Sequence, residues 1–207
     1  MKELIQASYK RITPYFYWLS RLTESKARIK SVKISRIKDF SSVLIIAPPT
    51  EFFLDKLMEL NPNGRNQLLY FSKEMKQIAL DRMKKGIKDN CTIDICTIET
   101  LPYTDNQFDH VFAYCYFDFL DNEGINIASS EIMRVLKQGG NLLATYLSEP
   151  VNLLEKISIY SISKLGFLRD IRVVEVNTIL NQNNFMNITI THYSQKCTPV
   201  DLIYAEK

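Results

Sequence analysis

Glycine is scarce in this 207-residue chain: six in all, and none between Ser42 and Thr50, which read Ser-Val-Leu-Ile-Ile-Ala-Pro-Pro-Thr. That absence excludes from this stretch the tight, donor-lined backbone turn that lets a strand-to-helix junction approach a nucleotide-like ligand. Four cysteines (Cys91, Cys96, Cys115, Cys197) form no C-x-x-C pair, and the two histidines (His110, His192) stand far apart. This argues against a zinc site or a disulfide framework, and for buried free thiols and structural histidines. No stretch approaches the roughly 20 apolar residues of a membrane span, and the N-terminus has no apolar signal run, so the expected location is the cytoplasm. A hydrophobic content of 46% with 24% charged residues fits one well-cored globular domain over 1–207.

What is present begins with a charge asymmetry. Residues 1–40 carry ten Lys/Arg against three acids, a net +7, so the remainder carries −4 within the overall +3. Tyr15, Phe16, Tyr17, Trp18, Leu19 and Leu22 add an apolar stripe to this basic segment. Three roles are open to it: a helical cap over the domain, a dock for a partner chain, or a peripheral contact with an anionic membrane. Nucleic acid is not expected, because no single-strand platform accompanies the basic residues.

The periodicity predicts an N-terminal helical region over 1–38, broken near Thr13-Pro14, and an alternating β/α core over 39–207. Val43–Ala47 is a short charge-free apolar run, as for a strand buried on both faces. Further strands are predicted at Gln67–Phe71, Cys91–Cys96, His110–Tyr116 and Asn141–Tyr146, and a late hairpin at Phe185–Tyr193 and Val200–Ala205. Helices are expected at Phe52–Leu60, from Ser72 to Gly86, at Ile125–Leu136 with Gly139-Gly140 as the stop, at Val151–Leu165 and at Val173–Asn181. Asp109 is assigned to a turn, and Phe108 and Val111 to anchoring the fourth strand. The fold class is α/β, a doubly wound sheet with helices on both faces.

Several segments together resemble class I S-adenosylmethionine (SAM) methyltransferases, in particular those that methylate quinone precursors. Leu101-Pro102-Tyr103-Thr104-Asp105-Asn106-Gln107-Phe108-Asp109 is similar to that family's "LPFpDnsFD" element. Glu131 to Leu143 is similar to its "E-x-x-RVLKPGGrLl", Ser72-Lys73-Glu74-Met75 to its "SpeM", and Tyr9 to Phe16 to its N-terminal "YdriAp-fYd" cap. The resemblance implies a seven-stranded Rossmann-like sheet ending in an antiparallel strand, with SAM as cofactor.

The residues that should hold SAM do not match. The family's "VLDvGcGTG" falls on Val43 to Glu51, so its acid becomes Ile45 and its glycines become Ala47, Pro49 and Glu51. Pro48 and Pro49 lack an N–H and fix φ near −65°, and Glu51 would face the SAM carboxylate with like charge. The ribose carboxylate falls on Tyr70, which can bond one hydroxyl but cannot bridge two. The adenine-reading aspartate falls on Thr97, with Glu99 as a substitute if the loop shifts.

Beyond this, Val111 to Leu120 is heavily aromatic. Phe117 and Phe119, with Tyr15 and Asp118, form a candidate apolar ligand pocket; ordinary core packing is the other reading. No catalytic residue and no metal ligand is assigned. The preferred expectation is a pseudoenzyme with no cofactor, serving as scaffold, regulatory partner of a related methyltransferase chain, or binder of a hydrophobic small molecule. An active SAM-dependent enzyme acting on a small hydrophobic acceptor is the alternative, and a SAM-independent enzyme using Asp118 or Tyr70 a third.

Overall fold

The computed structural model describes residues 25–46, 53–71, 73–82, 91–96, 100–164 and 176–207. These form a helix α1 (Ser25–Ile34), then β1 (Ser42–Ile46), α2 (Leu54–Leu60), β2 (Arg65–Tyr70), α3 (Lys73–Arg82), β3 (Cys91–Ile95) and β4 (Phe108–Tyr114). A one-turn 3-10 helix (Phe117–Phe119) leads into α4 (Asn122–Val135), β5 (Leu136–Leu147), α5 (Leu153–Lys164), α6 (Val176–Gln182), β6 (Met186–Gln195) and β7 (Thr198–Glu206).

The seven strands form one sheet in the order β3-β2-β1-β4-β5-β7-β6. The first five are parallel, and β7 enters antiparallel between β5 and β6. This is the expected Rossmann-like sheet, with the order reversing between β1 and β4. Every residue of β1 is buried, as its unbroken apolar run requires of a central strand covered on both faces. On α4, Ile125, Ala128, Ile132 and Val135 lie at helical spacing on the buried face. They join β1, β4 and β5 in the main core.

Several boundaries differ from the sequence expectations. Helix α1 stops at Ile34, short of residue 38, and Arg36 adopts φ 56° as the chain turns away. Tyr116 is not in β4: the strand ends at Tyr114 and Cys115, at φ 50°, turns the chain. Helix α4 starts at Asn122, because the Asp121 carboxylate accepts the Gly124 N–H at 2.8 Å. Gly139-Gly140 does not stop that helix. Leu136 is already extended, and the two glycines lie within β5. Gly139 has φ +74°, and a Cβ on Gly140 would sit 2.9 Å from the Lys137 carbonyl and 3.0 Å from that of Asp109. Asp109 is not a turn residue either. It lies in β4, where its carboxylate accepts the Ser42 N–H at 2.8 Å and the Lys137 ammonium at 2.8 and 2.9 Å, tying β1 to the start of β5. Phe108 and Val111 are fully buried, as anchors should be.

The breaks expected at Thr13-Pro14, the Ser72 cap and the Gly86 stop lie outside the described residues. All four cysteines are free, but only Cys115 is buried; Cys91 and Cys96 are half-buried and Cys197 is exposed. Burial pushes the Cys91 thiol up to about 12.

Candidate functional site

Ligands of open α/β sheets bind outside the carboxyl ends of the strands where the strand order reverses, here above β1 and β4. Ile45 and Ile46 end β1 as fully buried apolar side chains. Ile45 lies in the sheet between Leu68 of β2 and Phe112 of β4. Tyr70 ends β2 and is also buried. Among the described residues, no carboxylate stands at the end of β1 or β2. Ala47, Pro49, Glu51, Thr97, Glu99 and Tyr15 lie outside the described residues.

Aromatic rings occupy the switch point instead. Phe71, just past β2, stacks on Tyr116, just past β4, with centroids 5.4 Å apart and planes 8° apart. Since β1 lies between β2 and β4, the two rings meet across its end. Phe117 packs against Tyr116 at 5.7 Å and is fully buried. Phe53 meets Tyr114 edge-on at 4.7 Å. The guanidinium of Arg28, fully buried on α1, sits 4.8 Å over the Tyr114 ring and donates to the Cys115 sulfur at 3.4 Å. Ser31 and the Tyr114 hydroxyl share a hydrogen bond of 2.6 Å. Helix α1 is thus pinned to the end of β4 by a buried cation and a buried hydroxyl pair. Burial drives the Tyr116 phenol far above its ordinary range, so it stays neutral.

Of the candidate ligand pocket, Phe117 is core and the Phe119 side chain lies outside what is described. The Asp118 carboxylate accepts the Leu147 N–H at 2.8 Å and holds the end of β5.

The residues of the two longest motifs interlock. Arg134 donates to both oxygens of Glu131 (2.9 and 2.8 Å), to Asp105 (2.8 Å), and to the carbonyls of Tyr103 (2.7 Å) and Leu101 (3.1 Å). Glu131 in turn accepts the Leu101 N–H at 2.7 Å. Arg134 holds the Glu131 carboxyl below the usual range, against burial, with the Leu101 N–H adding to the effect. The motifs therefore fasten the 101–107 loop to α4.

A second polar cluster, which the sequence did not reveal, lies at the same strand ends beyond β5. His192 Nδ1 is 2.8 Å from Asp201 and 3.2 Å from the Ser148 hydroxyl, and its Nε2 is 3.6 Å from the buried Glu155. Burial raises the Glu155 carboxyl, but hydrogen bonds from Ser194 and the Val151 N–H, with the His192 ring, outweigh it and leave it lowered. The cluster thus ties α5 to β6 and β7, with Nδ1 hydrogen-bonded to Asp201 and Nε2 facing Glu155. His110 is likewise structural: its Nδ1 lies 3.0 Å from Asn141, and burial lowers its pKa.

The strand order and the switch-point geometry define a methyltransferase-type Rossmann-like protein. A methyltransferase-domain family profile matches residues 56–144. The chain is 32% identical over 127 residues to the ubiquinone/menaquinone biosynthesis C-methyltransferase UbiE of Pseudomonas fluorescens, covering 60% of this chain and 48% of that protein. It thus spans about half the length of that relative. It superposes on a SAM-dependent methyltransferase of Thermotoga maritima with a TM-score of 0.71 at 16% identity, covering 98% and 99% of the two chains. Phosphoethanolamine N-methyltransferase 2 of Haemonchus contortus, solved with S-adenosylhomocysteine, superposes at 0.66 and 16% identity, over 88% of this chain and 52% of that one. At such identities the structural likeness shows the fold. The profile match and the curated relatives support a class I methyltransferase family for this chain, and the structural neighbours show its fold.

Proposed function

We propose that this chain is a methyltransferase-family protein that no longer binds SAM and acts without methyl transfer, as a scaffold or regulatory partner. The observation that carries the reading is the stacking of Phe71 on Tyr116 across the end of β1, where the family's cofactor would lie. The described residues do not fit that cofactor. Buried Ile45 offers no partner to a charged methionyl group, and Tyr70 replaces the carboxylate that would bridge two ribose hydroxyls. The sequence adds Pro48, Pro49 and Glu51 in the loop.

Hydrogen bonds to charged groups contribute roughly 1.5–3 kcal/mol each. Losing two or three costs about 4–7 kcal/mol, enough to move an affinity of about 1 μM to millimolar or weaker. With Phe117 in the core and Asp118 bonded to the backbone, a scaffold role has more support than a ligand-binding one.

The alternative is an active SAM-dependent enzyme on a small hydrophobic acceptor, favoured by the activities for which the relatives are named and by S-adenosylhomocysteine in a structural neighbour. A thermal-shift series with SAM and S-adenosylhomocysteine, run beside a methyl-transfer assay with labelled SAM, separates the two. The proposal expects no shift and no transferred label. A rise of several degrees, as mass action gives for a ligand far above its Kd, supports the alternative.

A further inference from the structure

We infer that β6 is the interface through which two copies of this chain associate, strand against antiparallel strand, so that their sheets run into one. β6 is an outer strand: it pairs with β7, and no second strand partner lies among the described residues. An outer strand leaves a row of backbone N–H and C=O groups unpaired. Short length, prolines or charged side chains usually keep that row from pairing with another chain. The opposite edge, β3, is five residues long and carries Asp94. β6 is ten residues long and reads Met-Asn-Ile-Thr-Ile-Thr-His-Tyr-Ser-Gln, with no proline, lysine, arginine or carboxylate. Its one irregularity lies between Met186 and Thr189; from Thr189 to Gln195 it pairs with β7 residue by residue. On that regular stretch Thr189, Ile190, Thr191, His192 and Ser194 are exposed, Ile190 by 41%.

The ladder fixes which groups face outward. Lys196 and Cys197, at φ 51° and 59°, make the two-residue turn of a hairpin closed by Gln195 and Thr198. Ser194 then stands opposite Pro199, which has no N–H and whose carbonyl accepts the Ser148 N–H on the β5 side at 3.2 Å. Ser194 and Pro199 are therefore a pair without mutual hydrogen bonds. By alternation Ile190, His192 and Ser194 direct their backbone groups to the free edge. That edge is complementary to itself. With a two-fold axis at Thr191, Ile190 exchanges hydrogen bonds with His192 of the second copy. Thr189 stands opposite Tyr193 of the second copy, and Thr191 opposite its own equivalent. Aromatic–β-branched and Thr–Thr pairs both stabilise facing strands. An axis at His192 would instead set two imidazoles against each other. Such an isologous contact closes at two copies. One strand pair is smaller than a standard interface, so the dimer should dissociate on dilution.

The test is sedimentation velocity of the full chain from about 1 to about 100 μM, a span suited to an interface of modest area. The parent should pass from monomer to dimer as concentration rises. Thr191→Lys sets like charges directly opposite each other across the axis and should weaken association by roughly fivefold, as should Thr191→Glu. An equimolar mixture of the two variants should dimerise again. Both should melt close to the parent because Thr191 is exposed. A parent that stays monomeric over this range, or a dimer that both variants retain undiminished, would overturn the inference. So would a dimer that Leu154→Ser/Ile157→Ser, on the exposed side of α5, dissolves while the Thr191 variants leave it intact. None of these readouts involves SAM, so the outcome is independent of the proposed loss of the cofactor.

Discussion

Replacing Arg134 with alanine should separate scaffold from chemistry in the motifs this chain shares with class I methyltransferases. The guanidinium makes five hydrogen bonds, to Glu131 twice, to Asp105, and to the Tyr103 and Leu101 carbonyls. Fully buried, bonds of this kind contribute about 1.5–3 kcal/mol each. The side chain is 30% exposed and Asp105 69% exposed, so water replaces part of what is lost. The loss that remains is that of the two carbonyls and of Glu131, and the expected destabilisation is about 2–3 kcal/mol. For a domain of this size that is a fall in Tm of about 5–10 °C. Arg134→Lys should recover only part, since an ammonium cannot make the paired contacts of the fork. The pH dependence has a definite sign. The Glu131 carboxyl is held below its unfolded value, so its contribution is present above the ordinary glutamate range. That contribution is lost as pH falls through the folded value. Parent and Arg134→Ala should therefore converge in acid. Urea denaturation of the three proteins across pH measures this, and a change under about 0.5 kcal/mol at neutral pH would refute the assignment of these motifs to stability.

Asp121→Ala removes the cap of α4 and should cost about 1 kcal/mol, readable as a Tm loss of about 2–4 °C. Gly139→Ala forces φ +74° on an L residue and should cost about 1 kcal/mol. Gly140→Ala should cost more, because its Cβ would press on two backbone carbonyls; equal melting of the two variants would contradict the geometry. Tyr116→Ala removes a buried ring that stacks on Phe71 and should destabilise by about 3–5 kcal/mol in urea titration.

The sheet was legible because each strand near its centre is a short apolar run that only a doubly covered position explains. Val43–Ile46 and Val111–Tyr114 follow that rule. The ends of elements were less legible, since they depend on single contacts. Asp121 starts α4 three residues early through one hydrogen bond, and the glycine pair that reads as a helix stop serves a close approach within β5. The candidate site was half legible. Missing glycines and a missing acid are visible in a linear chain, but the ring pair that occupies the switch point joins residues 45 positions apart. The Glu155–His192–Asp201 cluster draws on three elements with no shared motif, so no spacing could announce it.

The proposed loss of SAM binding requires the end of β1 to be closed to that cofactor. Isothermal calorimetry of the full chain with SAM and S-adenosylhomocysteine tests it directly. With that end closed, no saturable heat is expected below millimolar concentration, and a micromolar Kd for either nucleoside would contradict the closure.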